Sequence, residues 1–224
     1  FITKKLGYLN VANNPVLTVK DLKSGKRELM SYQKIVMEYL KHYRGVLVDH
    51  GLGVGKTFTA IASAEQFPER HKIVFLPASL RTNFIKELMK EKRYTLPPGY
   101  ENMENIEQKR ARKALKKLIA ENYTFISTNA PNFAEQVYKL SLSHKQRKNF
   151  KLADEQDIQF KLFLKSSAKR TFDNKMIIFD EVHNFVGSVI NPSAKNAIKV
   201  YDLIMKANDV KILALSASPI QGEP

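Results

Sequence analysis

The chain has 224 residues, with 37 Lys and Arg against 22 Asp and Glu, and it contains no cysteine. The lack of cysteine excludes disulfides, iron–sulfur clusters and thiolate zinc sites, and it agrees with an intracellular setting. The net charge of +15 favours polyanionic partners. No apolar run reaches the roughly 18 residues that a membrane span requires, so no membrane partner is expected.

Residues 1–28 form a lead-in to the predicted domain. The start, FITKKLGYLN, lacks the apolar core and the cleavage site of a signal peptide. Because it also lacks an initiator Met, we expect the natural N-terminus to lie upstream. Residues 29–224 are predicted to form one α/β domain.

Short apolar runs, rich in β-branched and aromatic residues, recur along the chain and are too short for buried helices. Their nearly continuous apolarity is typical of strands that are buried on both faces of a parallel sheet. Helices are predicted between them, at 57–66, 80–92 and 193–207. The alternation predicts a doubly wound α/β fold, with a mostly parallel sheet and helices on both faces. The predicted strands are 45–49, 72–76, 123–127, 176–180 and 211–215.

Two connections, 93–122 and 140–175, are long and strongly basic. The first has a Pro-Pro-Gly turn signal and then a helical stretch at 106–119. We expect both to be basic insertions on a compact core, which either line a nucleic-acid path or are solvated surfaces. In the second connection, three aromatic residues are expected to pack in a local hydrophobic core rather than to serve as stacking platforms: Phe150, Phe160 and Phe163.

The segment VLVDHGLGVGKTFTAIA, residues 46–62, runs from a strand through a glycine-rich turn into a helix. Such a loop aims backbone N–H groups at phosphate oxygens, and the helix start adds partial positive charge. Lys56 would reach the β- and γ-phosphates of ATP, and the Thr57 hydroxyl would ligate Mg²⁺. The strict pattern requires Gly at position 50, where this chain has His50, and the alternative is an incidental turn. The predicted nucleotide-binding loop residues are Gly51, Leu52, Gly53, Val54, Gly55, Lys56 and Thr57.

A second acidic signal, MIIFDEVHNF at 176–185, ends a buried strand in two carboxylates. Asp180 is predicted to hold Mg²⁺ and Glu181 to polarise the attacking water. Solvated charges at a strand end are the alternative. The pairing with the phosphate loop favours a catalytic site composed of Lys56, Asp180 and Glu181.

HGLGVGKT, DEVH and the later LALSASP resemble motifs I, II and III of superfamily 2 helicases of the DExH type. FLPASLRTNF (75–84), ISTNA (126–130) and LMSYQKIVMEYL (29–40) are similar to motifs Ia, Ib and Q, in the expected order. The resemblance covers about residues 29–220 and implies a first RecA-like domain. It implies that Gln33 reads adenine, where a helix-surface amide is the alternative.

The resemblance also assigns roles to two further groups of residues. His183, Ser216 and Ser218 would couple the nucleotide site to a second domain, although Ser218 stands where the family more often has Thr. Turn and strand-end packing are the alternatives. Backbone contacts to nucleic acid without sequence readout are implied for five residues, which could otherwise only cap helices and turns: Arg81, Thr82, Ser127, Thr128 and Asn129.

The sequence between the motifs is similar to that of ATPases of large cytoplasmic DNA viruses, including the poxvirus-type nucleoside triphosphatase and early-transcription-factor helicases. These ATPases are themselves similar to Swi/Snf-type translocases. For a viral protein this implies the host cytoplasm and the virion, and RNA polymerase or other transcription machinery as partner. DNA is favoured over RNA. The family has a second RecA-like domain that supplies arginine fingers, which contribute on the order of 10³–10⁵ in rate. No such motif follows in this chain, so we expect it to bind nucleotide but to hydrolyse it slowly.

The sequence therefore predicts ATP hydrolysis coupled to movement on nucleic acid. One alternative is a transcription-factor subunit that uses nucleotide only for docking. The other is a phosphate-loop kinase or NTPase that does not bind nucleic acid.

Overall fold

The computed structural model describes residues 29–49, 55–142, 170–190 and 195–216. The strands are β1 (Gly45–Asp49), β2 (Lys72–Leu76), β3 (Tyr123–Ser127), β4 (Met176–Asp180) and β5 (Lys211–Ser216). The helices are α1 (Ser31–His42), α2 (Lys56–Glu65), α3 (Arg81–Leu88), α4 (Asn105–Asn122), α5 (Phe133–Leu140), α6 (Val182–Ile190) and α7 (Lys195–Lys206). Short 3-10 turns lie at Ala78–Leu80, Lys92–Tyr94 and Tyr100–Asn102.

The five strands form one sheet in the order β1-β5-β4-β2-β3, and every neighbouring pair is parallel. The predicted parallel α/β fold is confirmed. All five predicted strands are present, and β5 extends one residue beyond the prediction, to Ser216.

Two apolar layers cover the sheet. Along β2, Val74 and Leu76 face a cluster that includes residues of α1 to α4, whereas Ile73 and Phe75 face a cluster that includes residues of α5 to α7. Since successive side chains of a strand point to opposite faces, a strand buried throughout requires a layer on each side. The helices on both faces are thereby confirmed.

The stretch at 93–122 contributes to the core. Tyr94, Leu115 and Ile119 are buried in the same cluster as β2. The helix predicted at 106–119 is present as α4 and runs directly into β3. α3 ends at Leu88, four residues before the predicted end, and the chain then turns into the 3-10 segment at Lys92–Tyr94. Most of the 140–175 stretch, with its three phenylalanines, lies outside the described residues.

All five strands point the same way, so their carboxyl ends share one edge of the sheet. Across that edge the order of the last residues is Asp49, Ser216, Asp180, Leu76 and Ser127. Open α/β sheets bind ligands at this edge. Within the described residues, no helix combines the length and apolarity needed to cross a membrane.

Candidate functional site

The predicted phosphate loop is described only at its exit. His50, Gly51, Leu52, Gly53 and Val54 lie outside the described residues, as does Ser218. Gly55, Lys56 and Thr57 are described, and α2 begins at Lys56, one residue before the predicted start.

Gly55 is the N-cap of α2 and has a φ of 81°, a left-handed conformation that glycine adopts without the cost of a Cβ. This backbone turns the chain into the helix and directs Lys56 towards β4. The Lys56 Nζ lies 3.0 Å from Oε1 of Glu181, and only 11% and 18% of the two side chains are exposed. The ammonium makes no well-aligned hydrogen bond within the described part of the chain. Lys56 therefore has unused donors at the carboxyl edge.

Asp180 is the last residue of β4, and Glu181 forms the turn into α6. Asp180 is 5% exposed. Burial, followed by the nearby charge of Glu181, raises the pKa of Asp180 to about 6, although the Lys56 charge and a backbone hydrogen bond act in the opposite direction. Glu181 has a φ of 57°, which is uncommon for a residue with a side chain and is often found at functional sites. The two carboxylates thus lie close to Lys56, and their catalytic and metal-binding roles stay a prediction.

His183 joins the acidic turn to the end of β5. Its Nδ1 lies 3.0 Å from the Ser216 hydroxyl and 3.5 Å from Oε2 of Glu181. Ser216 is fully buried. The two predicted coupling residues that the structure describes are thus in contact with each other and beside the predicted catalytic acid.

Gln33 lies beside the exit of the phosphate loop. Its side chain is buried, and its Oε1 accepts a hydrogen bond from the Met30 backbone N–H at 2.9 Å. A Cβ added to Gly55 would stand 3.1 Å from Nε2 of Gln33. The Met30 bond uses one of the two lone pairs of Oε1, so the second lone pair and the amide N–H groups of Gln33 are left for a ligand. Adenine recognition by Gln33 stays a prediction. The contact with Gly55 indicates that the Gln33 side chain also packs against the exit of the phosphate loop.

The predicted nucleic-acid contacts lie one and two strands from β4, at the ends of β2 and β3. The Asn129 side chain accepts a hydrogen bond from the Ala78 N–H at 3.1 Å, and the Thr128 N–H donates to the Leu76 carbonyl at 3.0 Å. These bonds join the two segments that sequence analysis treated separately. Ser127 and Thr128 are half-buried, and Thr128 Oγ1 has no hydrogen-bond partner among the described residues.

Arg81 and Thr82 begin α3 on the same edge, and both are exposed. The Arg81 guanidinium lies over the Phe125 ring of β3, 5.5 Å from its centre, so a cation–π contact holds it against the sheet.

Sequence reasoning missed Gln136, which holds this second group in place. Its Oε1 accepts a hydrogen bond from the Ser127 N–H at 2.9 Å, and its Nε2 donates to Asn132 at 2.8 Å. In the sequence Gln136 is one helix-surface amide among many. No local pattern could have assigned it to the turn that follows β3.

The parallel sheet with helices on both faces defines a RecA-like α/β domain. The family described as "Type III restriction enzyme, res subunit" matches residues 26–221, and the chain belongs to it. This confirms the resemblance to the first domain of superfamily 2 helicases.

Similar proteins come from large DNA viruses. The chain is 24% identical over 184 residues to the "Termination factor NPH-I homolog" of African swine fever virus (isolate Tick/South Africa/Pretoriuskop Pr4/1996), covering 81% of this chain and 21% of that protein. It is 26% identical over 216 residues to a "Putative helicase" of Invertebrate iridescent virus 3, covering 88% and 19%. It is also 26% identical over 212 residues to a "Putative ATP-dependent RNA helicase" of Acanthamoeba polyphaga mimivirus, covering 89% and 31%. The matched part of the chain thus spans 19% to 31% of the length of these relatives.

Proposed function

We propose that this chain is the nucleotide-binding part of an ATPase that acts on nucleic acid, of the helicase or translocase type. The observation that carries the proposal is the meeting of Lys56 with the two consecutive carboxylates, Asp180 and Glu181, at the carboxyl edge of the sheet. The helicase names of similar proteins support the choice of reaction.

The residues at this edge suit a magnesium-bound triphosphate. Lys56 Nζ is buried and lacks a well-aligned hydrogen bond, which fits a donor that awaits an anion. The raised pKa of Asp180 reflects burial beside a second carboxylate, and a divalent cation would relieve that repulsion. Thr57 and Asp180 are the proposed metal-holding side chains. When bound, Mg²⁺ would neutralise phosphate charge and polarise the phosphoryl group.

Within this proposal Lys56, Glu181 and His183 have different roles in hydrolysis. Lys56 exchanges its contact with Glu181 for phosphate oxygens, which frees the Glu181 carboxylate to orient a water molecule and accept its proton. The His183 ring, between Glu181 and Ser216, positions that carboxylate and links it to the end of β5. Any change in the Ser216 strand end is therefore transmitted to the proposed base.

For the nucleic acid we propose backbone contacts by Arg81, Thr82, Ser127, Thr128 and Asn129. Their guanidinium, hydroxyl and amide groups suit phosphate and sugar oxygens and provide no readout of base sequence. They follow β2 and β3, one and two strands from Asp180 and therefore about 5 and 10 Å across the sheet, which allows both ligands to be bound together.

The finer setting is also a proposal. The termination-factor name of the African swine fever virus relative supports a role in viral transcription, with RNA polymerase as a partner and the host cytoplasm or virion as the location. We favour DNA over RNA as the polymer. Parallel titrations with DNA and RNA oligonucleotides of one sequence would show which of the two binds more tightly.

The test is nucleotide binding by the wild-type chain, by Lys56→Ala and by a control, Lys41→Ala, whose lysine is exposed and paired with Glu38. Loss of the Lys56 charge should weaken magnesium–ATP binding roughly tenfold to a hundredfold, as expected for hydrogen bonds to charged groups. The control should bind as the wild type does. Equal affinity of Lys56→Ala and wild type in calorimetry would overturn the assignment.

A second measurement addresses the polymer. ATP hydrolysis should rise when oligonucleotide is added, and the rise should disappear in Lys56→Ala. Hydrolysis that ignores nucleic acid would instead favour an NTPase without a polymer partner.

A further inference from the structure

The outer surface of α4 carries an uninterrupted set of basic side chains. Leu115 and Ile119 are the buried residues of this helix, and with 3.6 residues per turn the opposite side faces solvent. Between Glu107 and Glu121 no acidic residue occurs. We call the following exposed residues the α4 basic face: Lys109, Arg110, Arg112, Lys113, Lys116 and Lys117.

Three lysines on or just after other helices pair with an acidic residue of the same helix. Lys41 lies 2.8 Å from Glu38 on α1, and Lys139 pairs with Glu135 on α5. Lys90, just after α3, lies 2.8 Å from Glu87. At these three positions an acidic residue one turn away offsets the positive charge.

On α4 this pairing is nearly absent. Lys117 lies 3.8 Å from Glu121, and Arg112 contacts the Tyr100 hydroxyl and ring instead of a carboxylate. Within the described residues, the remaining four basic side chains form no salt bridge: Lys109, Arg110, Lys113 and Lys116.

The spacing of these charges makes the helix repel itself. Lys109 and Lys113, Arg112 and Lys116, and Lys113 and Lys117 are each four residues apart. Like charges at this spacing destabilise a helix, and a bound polyanion removes the repulsion. A row of positive charges repeating about every 6 Å along the helix axis also complements a backbone with regularly spaced phosphates.

We propose that the α4 basic face binds the phosphate backbone of nucleic acid, as a contact surface in addition to the residues at the ends of β2 and β3. The inference rests on the proposed function and extends it to a surface outside the helicase motifs. α4 leads directly into the first residue of β3, so its C-terminal end lies at the amino edge, opposite to the strand-end contacts. Binding here is independent of base sequence.

The experiment compares two triple variants that remove the same charge. One is Lys109→Gln, Lys113→Gln and Lys116→Gln on α4. The control is Lys41→Gln, Lys90→Gln and Lys199→Gln, three exposed lysines elsewhere. Glutamine has nearly the helix propensity of lysine, so folding should be preserved, and circular dichroism checks it.

Binding of each variant to a duplex oligonucleotide is measured over a range of KCl concentrations. Each phosphate contact contributes about 0.9 to the slope of log K against log salt. The α4 variant should lose roughly two to three units of slope, and the control should retain the wild-type slope.

Several outcomes would overturn the inference. An unchanged salt slope in the α4 variant would show that the α4 basic face is only solvated. If the wild-type chain still binds the oligonucleotide in that case, the proposed function is unaffected. Equal losses in both variants show a general charge effect, and equally strong competition by polyglutamate shows a surface for any polyanion. A wild-type chain that binds no oligonucleotide would remove both this inference and the nucleic-acid part of the proposed function.

Discussion

Two lysine–glutamate pairs lie at opposite edges of the same sheet, and they differ in their surroundings. At the carboxyl edge, Lys56 Nζ is 3.0 Å from Glu181. At the amino edge, Lys72 Nζ is 3.7 Å from Glu65, and the Lys72 side chain is fully buried. Glu65 also accepts hydrogen bonds from the Tyr123 hydroxyl at 2.7 Å and the Tyr94 hydroxyl at 3.3 Å.

The comparison shows that a buried ion pair does not by itself define a site. The Glu65 pair is enclosed by Tyr123 of β3 and Tyr94 of a 3-10 turn. It therefore joins the end of α2 to the sheet. The Glu181 pair stands where loops follow the strands, on a residue with positive φ and beside a second carboxylate. Changes at the amino edge should therefore affect stability, and changes at the carboxyl edge should affect chemistry.

The largest expected effect is on hydrolysis. Glu181→Gln keeps the size of the side chain but removes the proposed base, so single-turnover ATP hydrolysis should fall by about 10²–10⁴, the usual contribution of general base catalysis. Affinity for ATP and the urea midpoint should stay near wild type. Hydrolysis that remains intact in this variant would show that another group activates water.

The second expected effect is on folding. Glu65→Ala leaves the buried Lys72 without its counter-charge and both tyrosine hydroxyls without their acceptor. Breaking a buried ion pair costs about 3–5 kcal/mol, and the partial exposure of Glu65 places this loss near 3 kcal/mol. Urea unfolding provides the measurement.

Lys72→Met is the matched variant for that experiment. It removes the buried charge and keeps an apolar stem, while Glu65 retains the two tyrosine hydroxyls and Arg93 Nη1 at 3.7 Å. The free energy of unfolding should therefore differ little from wild type. A large loss in Lys72→Met together with a small one in Glu65→Ala would reverse our account of this edge.

A third effect appears at alkaline pH. Burial, followed by the charge of Glu65, raises the pKa of Tyr94 and Tyr123 well above the ordinary value of 10. In the unfolded chain both hydroxyls ionise near pH 10, so their contribution to stability is complete below that pH and is lost as the pH rises further. Each tyrosine should lower the free energy of unfolding by about 1.4 kcal/mol per pH unit.

Lys72 acts in the opposite sense within a different window. Burial lowers its pKa, so its contribution increases as the pH approaches the unfolded value of 10.5 and is constant above it. Unfolding should therefore be measured between pH 10.5 and 11.5. The variant Tyr94→Phe, Tyr123→Phe should show a shallower decline than wild type, and identical declines would refute the tyrosine assignment.

The smallest expected effect concerns Gln33. Its Nε2 lies against Gly55 and its Oε1 is bonded to Met30, so Gln33→Ala should loosen the exit of the phosphate loop. Loss of one such contact is worth about 0.5–1.5 kcal/mol. ATP and GTP affinities should fall together by a few fold. A fall for ATP alone would support the adenine-reading role that the sequence suggests.

The strands and the proposed catalytic carboxylates could be predicted because each depends on local pattern. Short apolar runs specify buried strands, and two acids after such a run must lie at the carboxyl edge of a parallel sheet. The phosphate-loop pattern predicted that Lys56 and the two acids face the same site, although 125 positions separate Lys56 from Glu181. Their direct contact in the structure was not predicted.

Other features depend on long-range packing and could not be read from sequence. Nothing near Gln136 indicates that its amide holds the turn after β3, and nothing near Glu65 indicates that two tyrosines from distant segments converge on it. In the sequence, the stretch at 93–122 is recognisable mainly by its positive charge. The buried positions Tyr94, Leu115 and Ile119 become evident only when the core is assembled.

The most direct test of the proposed ATP site is a structure of this chain with Mg²⁺ and a non-hydrolysable ATP analogue. We expect Lys56 Nζ within hydrogen-bonding distance of a phosphate oxygen, and the metal beside Thr57 and Asp180 with Glu181 facing the terminal phosphate. Nucleotide bound elsewhere, with Lys56 still paired to Glu181, would contradict the account.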